Sequence, residues 1–188
     1  LLTGNADALE RLDSIRDGFT TVMNQKMENM WTKKLGLVSY DKPLVNELLQ
    51  LMVQTKVDYT IFFRKLSNIP SKLTDLKDSF YLPISEGIET KWISWLQRWR
   101  EHIINKGAQS KISAELKRIN PKYTWREWLI TPAYEKAEKG DYSLIKELQA
   151  VLDKPYEEQS LKIQKKYDRL KPKQFFGAGG ISHYSCSS

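Results

Sequence analysis

The stretch Ile88-Glu89-Thr90-Lys91-Trp92-Ile93-Ser94-Trp95-Leu96-Gln97-Arg98-Trp99-Arg100-Glu101-His102-Ile103 decides the fold class. Ile88, Trp92, Trp95, Leu96, Trp99 and Ile103 follow one another at helical spacing, which gathers them on one face, while Lys91, Arg98, Arg100 and Glu101 lie mostly off it. Interleaved Trp and Arg can also stack nucleic-acid bases. Burial is the stronger reading, because each Trp takes a large apolar area out of water. His102 has no other His or Cys near it and reads as a packed or exposed helix residue rather than a ligand.

Outward from this helix the same period continues. Upstream, Leu9, Leu12, Ile15, Phe19, Val22 and Met23 share one face of a long helix running to about Trp31, with Lys33-Lys34-Leu35-Gly36 as its C-terminal signal. Asp41 with Pro43 starts a second helix that carries Leu44, Leu48, Leu51 and Met52 inward. Asp58 starts a third, with Ile61, Phe62 and Leu66, and Pro70 prevents its continuation. The stretch 71–87 reads as a connection with one helical turn. Downstream, helices are predicted around 112–119 and 125–139, separated by Asn120-Pro121-Lys122-Tyr123. Lys139-Gly140-Asp141 ends one helix and caps the next, which holds Leu144, Ile145, Leu148 and Leu152 until Pro155. No strand-like alternation of useful length and no fixed-period repeat is present. The chain is therefore read as all-α, a multi-helix array over 1–170 followed by an extended, glycine-containing tail over 171–188.

The 188 residues suffice for one core-bearing domain or a piece of one, and 40% hydrophobic with 28% charged residues belongs to the soluble globular class. No apolar run is long enough to span a bilayer, so no membrane partner is expected. The opening Leu1-Leu2-Thr3-Gly4 lacks Met, a basic n-region and an apolar h-region, and reads as a cut within a longer polypeptide. A net charge of +7 raises polyanions as partners. Most cations alternate with acids, as in Arg100-Glu101 and Arg126-Glu127, the pattern of a solvated helix face. The biased stretch is 162–173, where Lys162, Lys165, Lys166, Arg169, Lys171 and Lys173 are opposed only by Asp168. It is a minor candidate for a polyanion site.

Motifs with chemistry are mostly missing. The sequence has no Gly-rich phosphate loop opening a helix, no HExxH, no Cys-x-x-Cys and no nucleophile elbow. No catalytic residue and no metal ligand is assigned within the chain. Gly177-Ala178-Gly179-Gly180 precedes no helix and reads as a hinge for the last residues. Cys186, the only cysteine, lies third from the end, so within the chain it forms neither a disulfide nor a metal cage. Beside Ser, Gly and Tyr it is either incidental or faces something outside the chain. A single cysteine also favours a reducing compartment.

An ordered set of short segments carries a resemblance. Lys33-Lys34-Leu35-Gly36-Leu37, Asp58-Tyr59-Thr60-Ile61-Phe62-Phe63-Arg64-Lys65-Leu66, Asn120-Pro121-Lys122-Tyr123 with Arg126, Ala137-Glu138-Lys139-Gly140-Asp141-Tyr142-Ser143, Pro155-Tyr156 and Ser185-Cys186-Ser187-Ser188 occur in that order. Together they resemble the carboxyl end of selenoprotein O homologues, in the form with cysteine at the terminal position. The pair Thr124-Trp125 departs from some relatives, where an aliphatic residue and leucine are expected.

The resemblance implies the helical C-terminal part of a kinase-like (pseudokinase) fold. The parent would be a protein adenylyltransferase that binds ATP and magnesium and moves AMP onto Ser, Thr or Tyr hydroxyls of protein substrates. Its catalytic half, earlier in the same polypeptide, is the implied partner and holds the nucleotide and metal residues. The resemblance further implies a redox role for Cys186, paired with a cysteine in that half. It implies a cytoplasmic location in bacteria and generally a mitochondrial one in eukaryotes. Two alternatives stand beside it: a basic helical nucleic-acid-binding module and a helical scaffold without a ligand. Salt-dependent binding of mixed DNA and RNA separates the first of these from the rest.

Overall fold

Local signals set several helix ends. In the computed structural model, which describes residues 6–104 and 107–176, the regular elements are all helical. They are α1 (Ala6–Leu35), α2 (Lys42–Thr55), α3 (Tyr59–Leu66), a 3-10 helix (Leu73–Ser79), α4 (Glu86–Ile104), α5 (Gln109–Ile119), α6 (Glu127–Ala137), α7 (Ser143–Leu152), α8 (Leu161–Tyr167) and a 3-10 turn (Lys173–Phe175). The one extended pairing among the described residues is an isolated antiparallel bridge between Val57 and Phe80. Asp41 caps α2 by accepting from the Leu44 amide at 2.9 Å, and Asp58 caps α3 by accepting from the Ile61 amide at 3.1 Å. At the end of α1 the Leu37 amide donates to Thr32 O at 2.9 Å around Gly36, whose φ is +68°. A Cβ on Gly36 would stand 3.1 Å from Leu116 Cδ2, so the same glycine lets α5 approach.

The main core forms around α4. Trp92, Trp95 and Trp99 are fully buried, with Leu96 and Ile103 beside them, as the spacing predicts. The Trp95 and Trp99 rings stack, with centroids 6.0 Å apart. Their indole N–H groups do not remain unpaired: Trp95 Nε1 donates to Leu44 O and Trp99 Nε1 to Leu35 O, each at 2.9 Å. These two bonds tie α4 to the start of α2 and the end of α1. Around the α4 side chains pack Trp31 and Leu35 of α1, Leu44, Leu48, Leu51 and Met52 of α2, Phe62, Phe63 and Leu66 of α3, Leu73 and Leu76 of the 3-10 helix, and Ile112 and Leu116 of α5. A smaller core, Tyr123, Ala133, Leu148, Val151 and Tyr167, is made by α6, α7, α8 and the loop before α6.

One feature adds to the expected pattern and two differ from it. The α1 face of Leu9, Leu12, Ile15, Phe19, Val22 and Met23 exists but is exposed, Phe19 to 62%, and Trp31, Lys34 and Leu35 are the buried residues of that helix. Asp141 is not the N-cap of α7. Tyr142 holds that position, and Asp141 accepts from the Ser143 amide at 2.9 Å one residue earlier. The basic stretch contains α8, capped by Ser160 and anchored by the buried Tyr167, and the first tail residues include the 3-10 turn Lys173–Phe175 rather than a wholly extended chain. Gly177 to Gly180 and Cys186 lie outside the described residues.

Candidate functional site

Four of the segments that carry the family resemblance, 33–37, 58–66, 120–126 and 155–156, converge in space. They build a polar seam where the main core meets the smaller one, and three side chains organise it.

Arg64 is the buried cation of α3, 6% exposed, beside the half-buried Lys65. Its Nη1 donates to Lys117 O at 3.0 Å and Asn120 O at 3.2 Å; its Nη2 donates to Tyr156 O at 3.0 Å and Glu158 Oε1 at 2.9 Å. One guanidinium thus fastens the end of α5, the 120–123 loop and the 156–158 loop. The fork geometry of arginine suits this multiple role, which a lysine could not fill. Lys122 adds a second cation on Glu158 and lies 3.5 Å from Asp168, while the amides of Lys122 and Tyr123 both donate to Pro155 O. Burial opposes ionisation of Glu158, but hydrogen bonds from Lys122 and Arg64 outweigh it and hold the carboxyl below its usual range.

Asp58 does more than cap α3. Arg126 Nη1 and Nη2 donate to its two oxygens at 2.9 and 3.1 Å, and Tyr81 OH donates to Oδ2 at 3.0 Å. Arg126 Nη1 also donates to Arg169 O, which draws in the end of the basic stretch. Burial, followed by the Asp58 charge, raises the Tyr81 hydroxyl above its ordinary pKa. The pairing explains Arg126 and Asp58 in one contact, 68 residues apart in sequence.

Asn120 is the third organiser, 1% exposed. It accepts from Lys34 Nζ at 2.9 Å and donates through Nδ2 to Lys34 O and Ser67 Oγ at 2.9 and 3.1 Å. Lys34 Nζ lies 4.2 Å from the Phe63 ring centre and 4.8 Å from that of Tyr59, and among the described residues no carboxylate pairs with it. Burial lowers its pKa to about 8. Thr124, one of the two departures, shares a 3.2 Å hydrogen bond with Thr60, so the hydroxyl that replaces an aliphatic group has a partner. Trp125 is 66% exposed.

Chemically the seam is a clasp. Asp58 spends both oxygens on Arg126, Tyr81 and the α3 amide, and Glu158 is held by two cations. Such saturated groups position helices. Among the described residues no group of three or more His, Cys, Asp or Glu converges as a metal site. His102 stands on the surface of α4, with Nε2 3.4 Å from Asp41 Oδ2.

The basic stretch is partly engaged. Lys166 donates to both Glu147 oxygens, which lowers the Glu147 pKa, and the Arg169 guanidinium lies 5.2 Å from the Trp128 ring centre. The motif segments were legible in sequence, but their mutual contacts were not. The available signal was Arg64 itself, a charge between Phe63 and Leu66 on a face that must be buried.

Comparison with known proteins gives a consistent result. The family described as protein adenylyltransferase SelO matches residues 6–153. The protein nucleotidyltransferase YdiU of Tolumonas auensis is 33% identical over 178 residues, covering 90% of this chain and 34% of that protein. The protein of the same name from Methylobacillus flagellatus is 34% identical over 186 residues, covering 93% and 36% respectively. That from Flavobacterium johnsoniae is 32% identical over 202 residues, covering 100% and 37%. The chain spans about a third of the length of these curated relatives.

Proposed function

The chain belongs to the SelO family of protein adenylyltransferases, and on that premise we propose that it is the non-catalytic helical C-terminal part of such an enzyme. The parent polypeptide transfers AMP from ATP, with magnesium, to Ser, Thr or Tyr hydroxyls of protein substrates. The nucleotide and metal are held by its kinase-like catalytic half, and this chain supplies a helical support of residues 1–170 with a tail of 171–188. One observation carries the reading: the family match spans α1 to α7, yet the buried charged residues Lys34, Asp58, Arg64 and Lys122 are all engaged in holding helices and loops of the chain together.

The test is AMP transfer from labelled ATP to protein, measured for the purified chain and for the parent with magnesium. Transfer by the parent and none by the chain is expected; adenylylated product formed by the chain alone overturns the assignment. Cys186 is proposed as a redox element: its thiol and one of the catalytic half form a disulfide by exchange with an external disulfide such as oxidised glutathione, which takes the two electrons and leaves as two thiols, and reductant reverses the step. Its serine neighbours, which offer the thiol no apolar cover, support this. In the parent, Cys186→Ser should abolish any difference in activity between oxidised and reduced protein. An equal response of both proteins to reductant contradicts the role.

A further inference from the structure

The apolar stripe on α1 has no part in the clasp or in either core. Residues 6–29 are exposed apart from the half-buried Ala8, and at 1.5 Å per residue they extend for about 36 Å. An exposed helix of this kind gains little from its own packing, and helices in water depend on tertiary burial of an apolar face. The face is present: Leu9, Leu12, Ile15, Phe19, Val22, Met23 and Met27 are all 42% exposed or more.

Its geometry separates two kinds of occupant. At 100° per residue these side chains occupy an arc of roughly 140° that does not drift between Leu9 and Met30, the broad 3.6-residue period of a helix laid on a globular body. A coiled-coil partner would need a narrower 3.5-residue seam sustained over at least three heptads. Here the seam through Leu12, Ile15, Phe19 and Val22 next meets Lys26 and Asn29. The broad face is also not isolated. At the root of α1 the same side of the helix opens into a cavity of about 530 Å³ lined by Lys26, Asn29, Met30, Lys33, Lys34 and Ile119. Lys26 and Lys33 are exposed at its rim. Stripe and groove together form one continuous side of α1, met at its root by Ile119 of α5.

We infer that this side of α1 is the seat of the remaining part of the parent polypeptide, docked through an apolar patch with an acidic margin facing Lys26 and Lys33. The inference rests on the proposed function. Its support is that the matched relatives carry about two thirds of their length outside the region that this chain spans, while the stripe lies inside the matched residues 6–153. A body of that size supplies the broad surface that the stripe requires, and a second copy of a single helix does not.

The test co-expresses this chain with the rest of its own polypeptide as a separate chain and measures their association by sedimentation. A soluble 1:1 complex is expected, weakened at least about 30-fold by Ile15→Glu with Phe19→Glu, the effect of losing a hot-spot contact. Thr21→Glu, on the opposite side of α1, should leave it intact. Because the substituted residues are exposed, the helical dichroism of the chain should not change. Association unaffected by the double substitution overturns the inference, as does no complex with the wild-type chain or a gene that encodes this chain alone. Self-association of the chain that the substitutions abolish, or covering of the stripe by its own residues 177–188, likewise overturns it. AMP transfer is read separately: a complex that forms but transfers nothing keeps the docking surface and overturns the proposed function.

Discussion

Helices α1 and α4 carry the same kind of pattern and meet opposite fates. Both place large apolar side chains at three- and four-residue intervals, yet Trp92, Trp95 and Trp99 are completely buried while Leu9, Ile15, Phe19 and Val22 stand in solvent. Periodicity establishes a helix and the direction of its apolar face; what covers that face depends on the rest of the molecule. In α4 the covering elements are α2, α3, the 3-10 helix and the end of α1, and two indole N–H groups bond to carbonyls of α1 and α2. In α1 only the last turns reach that core.

The largest effect should come from α4. Replacing Trp95 with Ala removes a fully buried indole, its stack on Trp99 and its bond to Leu44 O, and should cost about 3–5 kcal/mol in a urea melt of the chain. The matched change on α1, Phe19→Ala, should fall within about 0.5 kcal/mol. Equal costs would erase the contrast between the two helices.

Next in size is the clasp. Arg126→Ala leaves Asp58 buried without its bidentate partner and should destabilise the chain by about 3 kcal/mol. Asp58→Asn keeps an acceptor for the α3 amide and should cost less. If Arg126→Ala melts like the wild type, the seam between the two cores is not what holds them.

Much of this was legible in the sequence, for identifiable reasons. Asp41, Asp58, Gly36 and Pro70 are local signals, and local signals are written in neighbouring residues. Helix α8 was hidden because its short apolar set, Leu161, Ile163 and Tyr167, lies among the lysines of the basic stretch. The clasp was hidden for a different reason. The Asp58–Arg126 and Arg64–Glu158 contacts join residues 68 and 94 positions apart, and no periodicity reports such pairings. The exposure of α1 was likewise invisible, because a face awaiting a partner and a face already covered have the same sequence.

A smaller effect concerns the end of α1 that does reach the core. Lys34 titrates near pH 8 when folded and near 10.5 when unfolded, so below pH 8 the folded state carries a desolvated cation. Its depressed folded pKa means that stability should rise between about pH 8 and 10.5, where the unfolded chain binds the extra proton. The gain should be about 1–2 kcal/mol, reduced from the full linkage by the Phe63 and Tyr59 rings that favour the charged form. Measured against Lys34→Met, a wild-type stability that falls over this window would reverse the sign.

Amide hydrogen exchange, followed along the chain, tests the contrast most directly. In the isolated chain residues 6–29 should exchange by local opening, far faster than α4, whose amides should open only with global unfolding. When the rest of the parent polypeptide is added, exchange over 6–29 should slow at least about 30-fold while α4 changes little. Protection of 6–29 equal to that of α4 in the monomeric chain, or no change when the remaining polypeptide binds, would contradict the account.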